Sequence, residues 1–139
     1  MTAGHHGEMR LQMDKWEEGR TGESIIRDIF VKKKYHFMQA DLLVKINNKW
    51  MIAEIKYQEQ YNAPPFDGHG LPRWQVDARL GFQNDTGIRA ILFVVDKITN
   101  VIYWHYLDTL MEGEYHQTHG SKPRIIFPLT SYLILNIGS

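Results

Sequence analysis

Residues 37–58, FMQADLLVKINNKWMIAEIKYQ, decide the fold, because apolar and polar residues alternate on both sides of an asparagine pair. Alternation with a period of two is typical of β-strands, whose successive side chains point to opposite faces. Asn47 and Asn48 separate the two alternating segments, and asparagine tolerates the positive φ that a two-residue type I′ turn requires. The stretch therefore predicts an antiparallel hairpin of strands 37–46 and 49–58.

The turn length determines which side chains face each other across this hairpin. With the asparagine pair as the loop, Ile46 pairs with Lys49. Asp41 then lies directly opposite Glu54, and opposed Cβ atoms in such a pair are about 5 Å apart. Lys56 follows Glu54 at period two, so the register predicts two carboxylates and one ammonium group on the same face.

Facing carboxylates repel each other, and a half-buried sheet face makes that repulsion more costly. A positive group is therefore expected beside Asp41 and Glu54. Lys56 is one candidate. A divalent cation is the better one, because Mg²⁺ takes oxygen ligands from one or two carboxylates together with water and substrate phosphate. The main-chain carbonyl of Ile55 is a further candidate ligand.

The rest of the chain predicts two helices and four strands around the hairpin. The helices are expected at 21–33, with Thr21 as N-cap, and at about 71–84, with Pro72 near the first turn. Residues 1–12 are expected to be irregular and 59–70 to form a loop, while the strands are predicted at 89–96, 101–107, 124–127 and 132–137. This order predicts an α/β or α+β layer structure with helices packed on a central sheet, in one domain over 1–139.

Asp41, followed after twelve residues by Glu54-Ile55-Lys56, resembles the active-site signature of the PD-(D/E)XK nuclease superfamily, which has an acid on one strand and an acid-x-lysine on the next. Ala40 stands where the name-giving pattern has proline. The resemblance covers residues 20–96 in element order. It implies a restriction-endonuclease-like αβββαβ core with a central mixed sheet flanked by helices. The spacing and small size look most like Holliday-junction resolvases and related phage or mobile-element nucleases.

The resemblance also implies chemical roles for individual residues. Asp41 and Glu54 would hold Mg²⁺ or Mn²⁺, together with the carbonyl of Ile55 and with Glu23, which fits the further acid that the family places on its first helix. Lys56 would orient or deprotonate the attacking water, or stabilise the transition state. Gln75 fits the polar residue of a later helix that faces the site. The candidate nucleic-acid contacts are Arg79, Arg73, Lys33 and Lys34.

The implied activity is metal-assisted hydrolysis of DNA phosphodiester bonds by an endonuclease, and RNA stays open as a substrate. Resolution of a junction would need two active sites, which implies a homodimer. The apolar tail 132–137 is either a core strand or an edge that pairs with a second copy.

Composition limits the alternatives. The chain has 139 residues, of which 43% are apolar, so one domain with a real core is expected. It has no cysteine, which excludes disulfides, thiolate zinc sites and cysteine nucleophiles. The formal net charge of zero argues against a general nucleic-acid binder.

No segment has the length of a membrane span, and the first residues lack the apolar core of a secretory signal. We therefore expect an intracellular, cytoplasmic protein with no membrane partner.

Four other interpretations stay open at this point. Asp41, Glu54 and Lys56 could form a surface salt-bridge cluster without chemistry. The chain could be a catalytically inactive nucleic-acid-binding module of the same fold, or an assembly protein that binds no metal. A retaining glycosidase also uses two carboxylates about 5 Å apart, although Lys56 beside the pair argues against it.

Overall fold

The computed structural model describes residues 15–35, 42–62 and 65–136. For residues 15–21 and 23 it describes the backbone only. The chain divides into two compact units, Met1–Met38 and Gln39–Ser139. The single domain expected over 1–139 stays a prediction. In the described part of the chain, no helix is both long enough and apolar enough to cross a membrane.

The described part of the first unit consists of one helix, α1, which spans Lys15–Lys32, and of the turn that follows it up to residue 35. It begins six residues before the predicted start, so Thr21 lies inside the helix and its predicted role as N-cap is wrong. The extension consists mainly of good helix formers such as lysine, glutamate and arginine, whose propensity continues the helix beyond its apolar stripe. Glu23 lies within α1, and its side chain is outside the described residues. So is the segment 1–12.

The described part of the second unit contains two sheets and two helices. The central sheet has the order β1-β2-β4-β5-β8, and the smaller sheet has the order β3-β7-β6. In chain order the elements are β1 Leu42–Ile46, β2 Lys49–Gln58, β3 Gly68–Pro72, α2 Arg73–Thr86, β4 Arg89–Asp96, β5 Ile102–Tyr106, α3 Leu107–Glu112, β6 His116–Gln117, β7 Arg124–Pro128, a 3₁₀ turn Leu129–Ser131 and β8 Leu133–Ile134. β2 and β4 run parallel, whereas the other neighbours in the central sheet are antiparallel. The predicted α+β class with a central mixed sheet is confirmed.

The hairpin has the predicted register over its described residues. Ile46 pairs with Lys49, and the pairing continues to Leu42 opposite Ala53. The two asparagines of the turn have φ angles of 51° and 65°, as a type I′ turn requires. Asp41 would be the next residue in this register, but residues 36–41 lie outside the described part of the chain. Its position opposite Glu54 therefore stays a prediction.

The predicted loop 59–70 is wrong in its last part, which forms β3. Glycine is typical of loops, but Gly68 and Gly70 allow close contact between two backbones. A Cβ atom on Gly68 would lie 2.1 Å from the carbonyl oxygen of Phe127, and one on Gly70 would lie 1.8 Å from that of Ile125. Only glycine fits this pairing of β3 with β7. Three strands thus separate α1 from α2, as the resemblance implied, but the third belongs to the smaller sheet.

The remaining boundaries shift for local reasons. α2 begins at Arg73, and Pro72 is its N-cap, next to the first turn as predicted. The helix ends at Thr86, and Gly87, with a φ of 76°, forms a left-handed cap. The predicted strand 132–137 is reduced to the two residues of β8 at the sheet edge. The short helix α3 was not predicted, because 107–112 (LDTLME) follows a strand without a clear start signal.

The two faces of the central sheet differ in character. One face carries an apolar cluster centred on Met51, Ala53 and Ile91. The other carries Glu54 and Gln58 on β2, and it is covered by α2 and β3, which contact these two side chains. Glu54 and Gln58 therefore lie on the face that packs against the helix and the smaller sheet.

A buried polar cluster joins the two sheets. His69 of β3 is fully buried, its Nε2 lies 2.9 Å from Oδ2 of Asp96 and its Nδ1 lies 3.1 Å from Oε1 of Gln58. The hydroxyl of Tyr132 donates a hydrogen bond to the carbonyl oxygen of His69 at 2.7 Å. Because these bonds connect β2, β3 and β4 with the chain before β8, the cluster fixes the smaller sheet against the central one.

The protonation of this cluster links stability to pH. Burial lowers the pKa of His69 below its ordinary value, and Asp96 opposes this effect only in part. Burial alone would raise the pKa of Asp96, but the backbone N–H groups of Thr99 and Ile98, together with His69, bring it below its ordinary value. In both groups the unfolded chain binds protons more readily than the folded one, so stability increases with pH.

We expect the free energy of unfolding to fall as the pH drops below about 6.5, where His69 of the unfolded chain becomes protonated. The contribution of Asp96 is lost at lower pH, below about 4. Urea denaturation between about pH 8 and pH 2 covers the ranges of both effects. His69→Gln should lose most of the dependence between pH 7 and pH 5, whereas His119→Gln, at an exposed position, should keep it. Equal pH dependence in wild type and His69→Gln would contradict this assignment.

Candidate active site

Glu54 lies in the middle of β2, in register with Leu92 of the parallel neighbour β4, and is only 4% exposed. The alternation of β2 directs its carboxylate to the face covered by α2. Oε1 of Glu54 lies 2.7 Å from Nη2 of Arg79, which is itself 3% exposed. Such a buried carboxylate requires a close cation, because removing a charge from water costs several kcal/mol.

Lys56 occupies the same face two residues further along β2. Its Nζ lies 3.9 Å from Oε2 of Glu54, and its side chain is 21% exposed, against 5% for that of Glu54. The site therefore has a buried carboxylate and an ammonium group that reaches its rim. Oε1 of Glu54 thus contacts Arg79, and Oε2 lies nearer to Lys56.

Gln75 lies one helical turn before Arg79 on α2, and positions four apart share a helix face. Its amide Oε1 is buried and has no hydrogen-bond partner among the described residues. A buried acceptor without a donor costs about 1–3 kcal/mol. This oxygen and the carboxylate of Glu54 are both hard oxygen donors, the ligand type that Mg²⁺ and Mn²⁺ prefer. The residues present therefore fit a hard divalent cation.

The complete predicted ligand set extends beyond the described residues. Asp41 and the side chain of Glu23 lie outside them, and within them no group of three or more histidine, aspartate or glutamate side chains could hold a metal ion. Ile55 lies between Glu54 and Lys56 on β2, and its side chain is 37% exposed. The roles of Asp41, Glu23 and the carbonyl of Ile55 stay predictions.

The predicted nucleic-acid contacts lie in different environments. Arg79 is buried against Glu54, so its position suits charge compensation within the site better than contact with a phosphate. Arg73 is partly exposed, and its Nε donates a hydrogen bond to Oδ1 of Asp77 at 3.1 Å. Lys33 and Lys34 are exposed in the turn after α1, in the first unit. Contact of these four residues with nucleic acid stays a prediction.

Sequence reasoning did not identify Arg79 as the counter-ion of Glu54. The spacing of four residues placed it on the same helix face as Gln75, but the packing of α2 against β2 was needed to show what that face contacts. The buried pair of His69 and Asp96 was also missed. The one sequence signal for this pair was Asp96, a charged residue at the end of the apolar strand 89–96.

Removal of Arg79 should destabilise the fold strongly, because it leaves the buried carboxylate without its closest cation. We expect Arg79→Met to lower the free energy of unfolding by about 3–5 kcal/mol. Arg73→Met is the matched control, since its ion pair with Asp77 is exposed, and it should cost less than about 1 kcal/mol. Urea denaturation of both variants gives the two values.

A double-mutant cycle tests whether the loss arises from the pair itself. Glu54→Gln/Arg79→Met should lose less stability than the sum of the two single variants, because removing both charges leaves no buried charge unpaired. Additive losses would show that the two side chains do not stabilise each other.

Comparisons with known proteins give limited information. A scan of protein-family models found no match, and a search of curated proteins found no relative. One solved structure that resembles this chain is Hjc, a Holliday junction resolvase from the archaeal hyperthermophile Archaeoglobus fulgidus, with 16% identity, a TM-score of 0.47 and coverage of 84% of this chain and 92% of Hjc. A likeness of this size decides nothing about activity, substrate or partners, which the residues of this chain have to support.

Proposed function

We propose that this protein is a metal-dependent nuclease that hydrolyses DNA phosphodiester bonds at the Glu54 site. The observation that carries the proposal is a carboxylate buried in mid-strand with Lys56 next to it on the same face. A purely structural strand gains little from a charge at a position where its neighbours Ile52 and Ala53 are buried and apolar. Polar groups kept at such a cost are typical of functional sites.

The metal ligands in this proposal are Glu54, Asp41, Glu23 and the carbonyl of Ile55, with Mg²⁺ or Mn²⁺ as the ion. Gln75 offers an additional buried oxygen that lacks a donor among the described residues. A bound divalent ion would supply a water of lowered pKa and offset the charge of the scissile phosphate.

The protein groups around the ion have separate tasks. Lys56 reaches the rim of the site, where its ammonium group can orient the attacking water and offset charge in the transition state. Only its neutral amine form could deprotonate that water. Arg79 holds the carboxylate of Glu54 in one orientation through a 2.7 Å contact. Gln75 accepts a hydrogen bond from a water molecule or contributes to the metal ligands.

The finer parts of the proposal concern substrate and assembly. We infer an endonuclease of the junction-resolving type, acting as an intracellular homodimer, because two opposed cuts require two sites. A protein that is strictly monomeric in solution would not support this part. RNA is included in the substrate test. A protein distinguishes RNA from DNA by contacts to the 2′-hydroxyl, and the described residues do not identify such contacts.

The central test is cleavage of linear, flapped, single-stranded and four-way DNA, and of RNA, with Mg²⁺ or Mn²⁺. We expect cleavage that EDTA abolishes and that Glu54→Gln and Lys56→Met each reduce by about 100-fold or more, the usual cost of a lost charge-stabilising group. Lys49→Met, at an exposed position of the same strand, should cleave like wild type. Survival of every substrate in the panel would refute the catalytic proposal.

Metal binding can be tested independently of cleavage. Calorimetric titration of Mn²⁺ into the protein should show one saturable event that Asp41→Asn and Glu54→Gln both weaken by about tenfold or more, as expected when a carboxylate ligand is lost. Asp85→Asn, at an exposed position near the end of α2, should bind like wild type. Equal affinity in Asp41→Asn and wild type would remove Asp41 from the ligand set.

A second candidate function is a catalytically inactive nucleic-acid-binding or assembly module of the same fold. The contact between Glu54 and Arg79 favours it, because the carboxylate already has a cation at 2.7 Å. This alternative predicts no Mn²⁺ binding and no cleavage. The two experiments above therefore separate it from the nuclease.

A further inference from the structure

A surface groove with a volume of about 580 Å³ lies at the start of α2. Its walls come from the first residues of α2 and from the segment that leads into β7, so it lies wholly within the second unit. Three cationic side chains, Arg73, Lys122 and Arg124, line it together with Trp74 and Asp77. The groove is separate from the carboxylate site, because neither Glu54 nor Arg79 lines it.

The groove has a surplus of positive charge. Its one carboxylate, Asp77, is already paired with Arg73. Lys122 and Arg124 form no ion pair with any carboxylate of the described residues. Nη1 of Arg124 is also buried without a hydrogen-bond partner in that part of the chain. The groove therefore offers donors and positive charge to an anionic ligand.

Trp74 gives the groove a second property. It is 66% exposed, the largest aromatic surface in the groove, although a tryptophan on a helix usually packs into the core. An exposed indole beside cationic groups is the arrangement with which proteins bind single-stranded nucleic acid, because bases stack on the ring while the cations contact phosphates. An acidic peptide would use the cations but gain nothing specific from the indole.

We propose that this groove binds a single-stranded or unpaired stretch of the DNA substrate, with a base stacked on Trp74 and phosphates contacted by Arg73, Lys122 and Arg124. The inference rests on the proposed function and narrows its substrate to DNA with unpaired nucleotides. Trp74 and Arg79 are five residues apart on α2, about 7.5 Å along the helix axis. The same helix therefore carries residues of both the groove and the carboxylate site.

The test measures binding of short fluorescent oligonucleotides in EDTA, which excludes cleavage. Two probes carry the same charge, an oligothymidylate and its abasic analogue. We expect wild type to prefer the thymidylate, and Trp74→Ala to weaken its binding by about tenfold or more and to abolish the preference. Lys122→Glu should weaken both probes equally and reduce the slope of log Kd against log salt concentration.

Trp50→Ala is the matched control. Trp50 is 53% exposed and does not line the groove, so its removal should leave both affinities unchanged. The inference is overturned if wild type does not bind the oligothymidylate, if it binds both probes equally, or if Trp74→Ala keeps the preference. Competition by polyaspartate as strong as that by the oligothymidylate would equally overturn it, because the groove would then be a general anion surface.

Cleavage assays distinguish failure of this inference from failure of the proposed function. If wild type cleaves DNA but Trp74→Ala retains the base preference, only the groove assignment is wrong. If Trp74→Ala loses the preference while no substrate is cleaved, the groove binds nucleic acid and the nuclease proposal fails.

Discussion

The constraint on which the second unit depends is the burial of Glu54. A carboxylate that is 4% exposed on a strand has lost its water, and its desolvation must be offset by cations held at close range. Arg79 provides one at 2.7 Å and Lys56 a second at 3.9 Å. α2 must therefore lie across this face of β2, at the height that brings Arg79 to the carboxylate. The buried charge of Glu54 on β2 and the position of α2 therefore depend on each other.

A second polar contact fixes the smaller sheet in the same way. Gln58 follows Glu54 and Lys56 on the same face of β2, and its amide oxygen accepts a hydrogen bond from the backbone N–H of Gly70 at 3.1 Å. His69 and Asp96 complete the contact between β3 and β4. Polar bonds are directional, so they fix the relative position of packed elements more narrowly than apolar contacts do. The covered face of β2 thus combines a structural polar cluster at one end with the candidate active site in its middle.

The geometry of the candidate site follows from this arrangement. The buried carboxylate lies between a helix that contributes Arg79 and Gln75 and a lysine that reaches the rim. Because Glu54, Lys56 and Arg79 lie on a strand and a helix rather than on loops, their positions are held by packing. Oε1 of Gln75, one turn before Arg79 on α2, is buried without a hydrogen-bond partner among the described residues. The cationic groove begins at the N-terminal end of the same helix, so α2 connects the two features.

The sequence by itself determined the hairpin. Alternation and the asparagine pair were sufficient for the register from Ile46–Lys49 to Leu42–Ala53, because a two-residue turn leaves one pairing in which each apolar face is continuous. The same local information placed Glu54 and Lys56 on one face. It also predicted the buried strand β4, with the limits Arg89–Asp96 that the structure shows.

Only the tertiary structure decided what that face contacts. Gly68 and Gly70 indicated a loop by composition, and the close approach of β7 made them a strand. Arg79 was a plausible surface residue until the packing of α2 placed it against Glu54. His69 and Asp96 are 27 residues apart and met only when the two sheets packed. Local patterns encode the period and direction of side chains, whereas the partner of a buried polar group depends on residues distant in sequence, which no local pattern specifies.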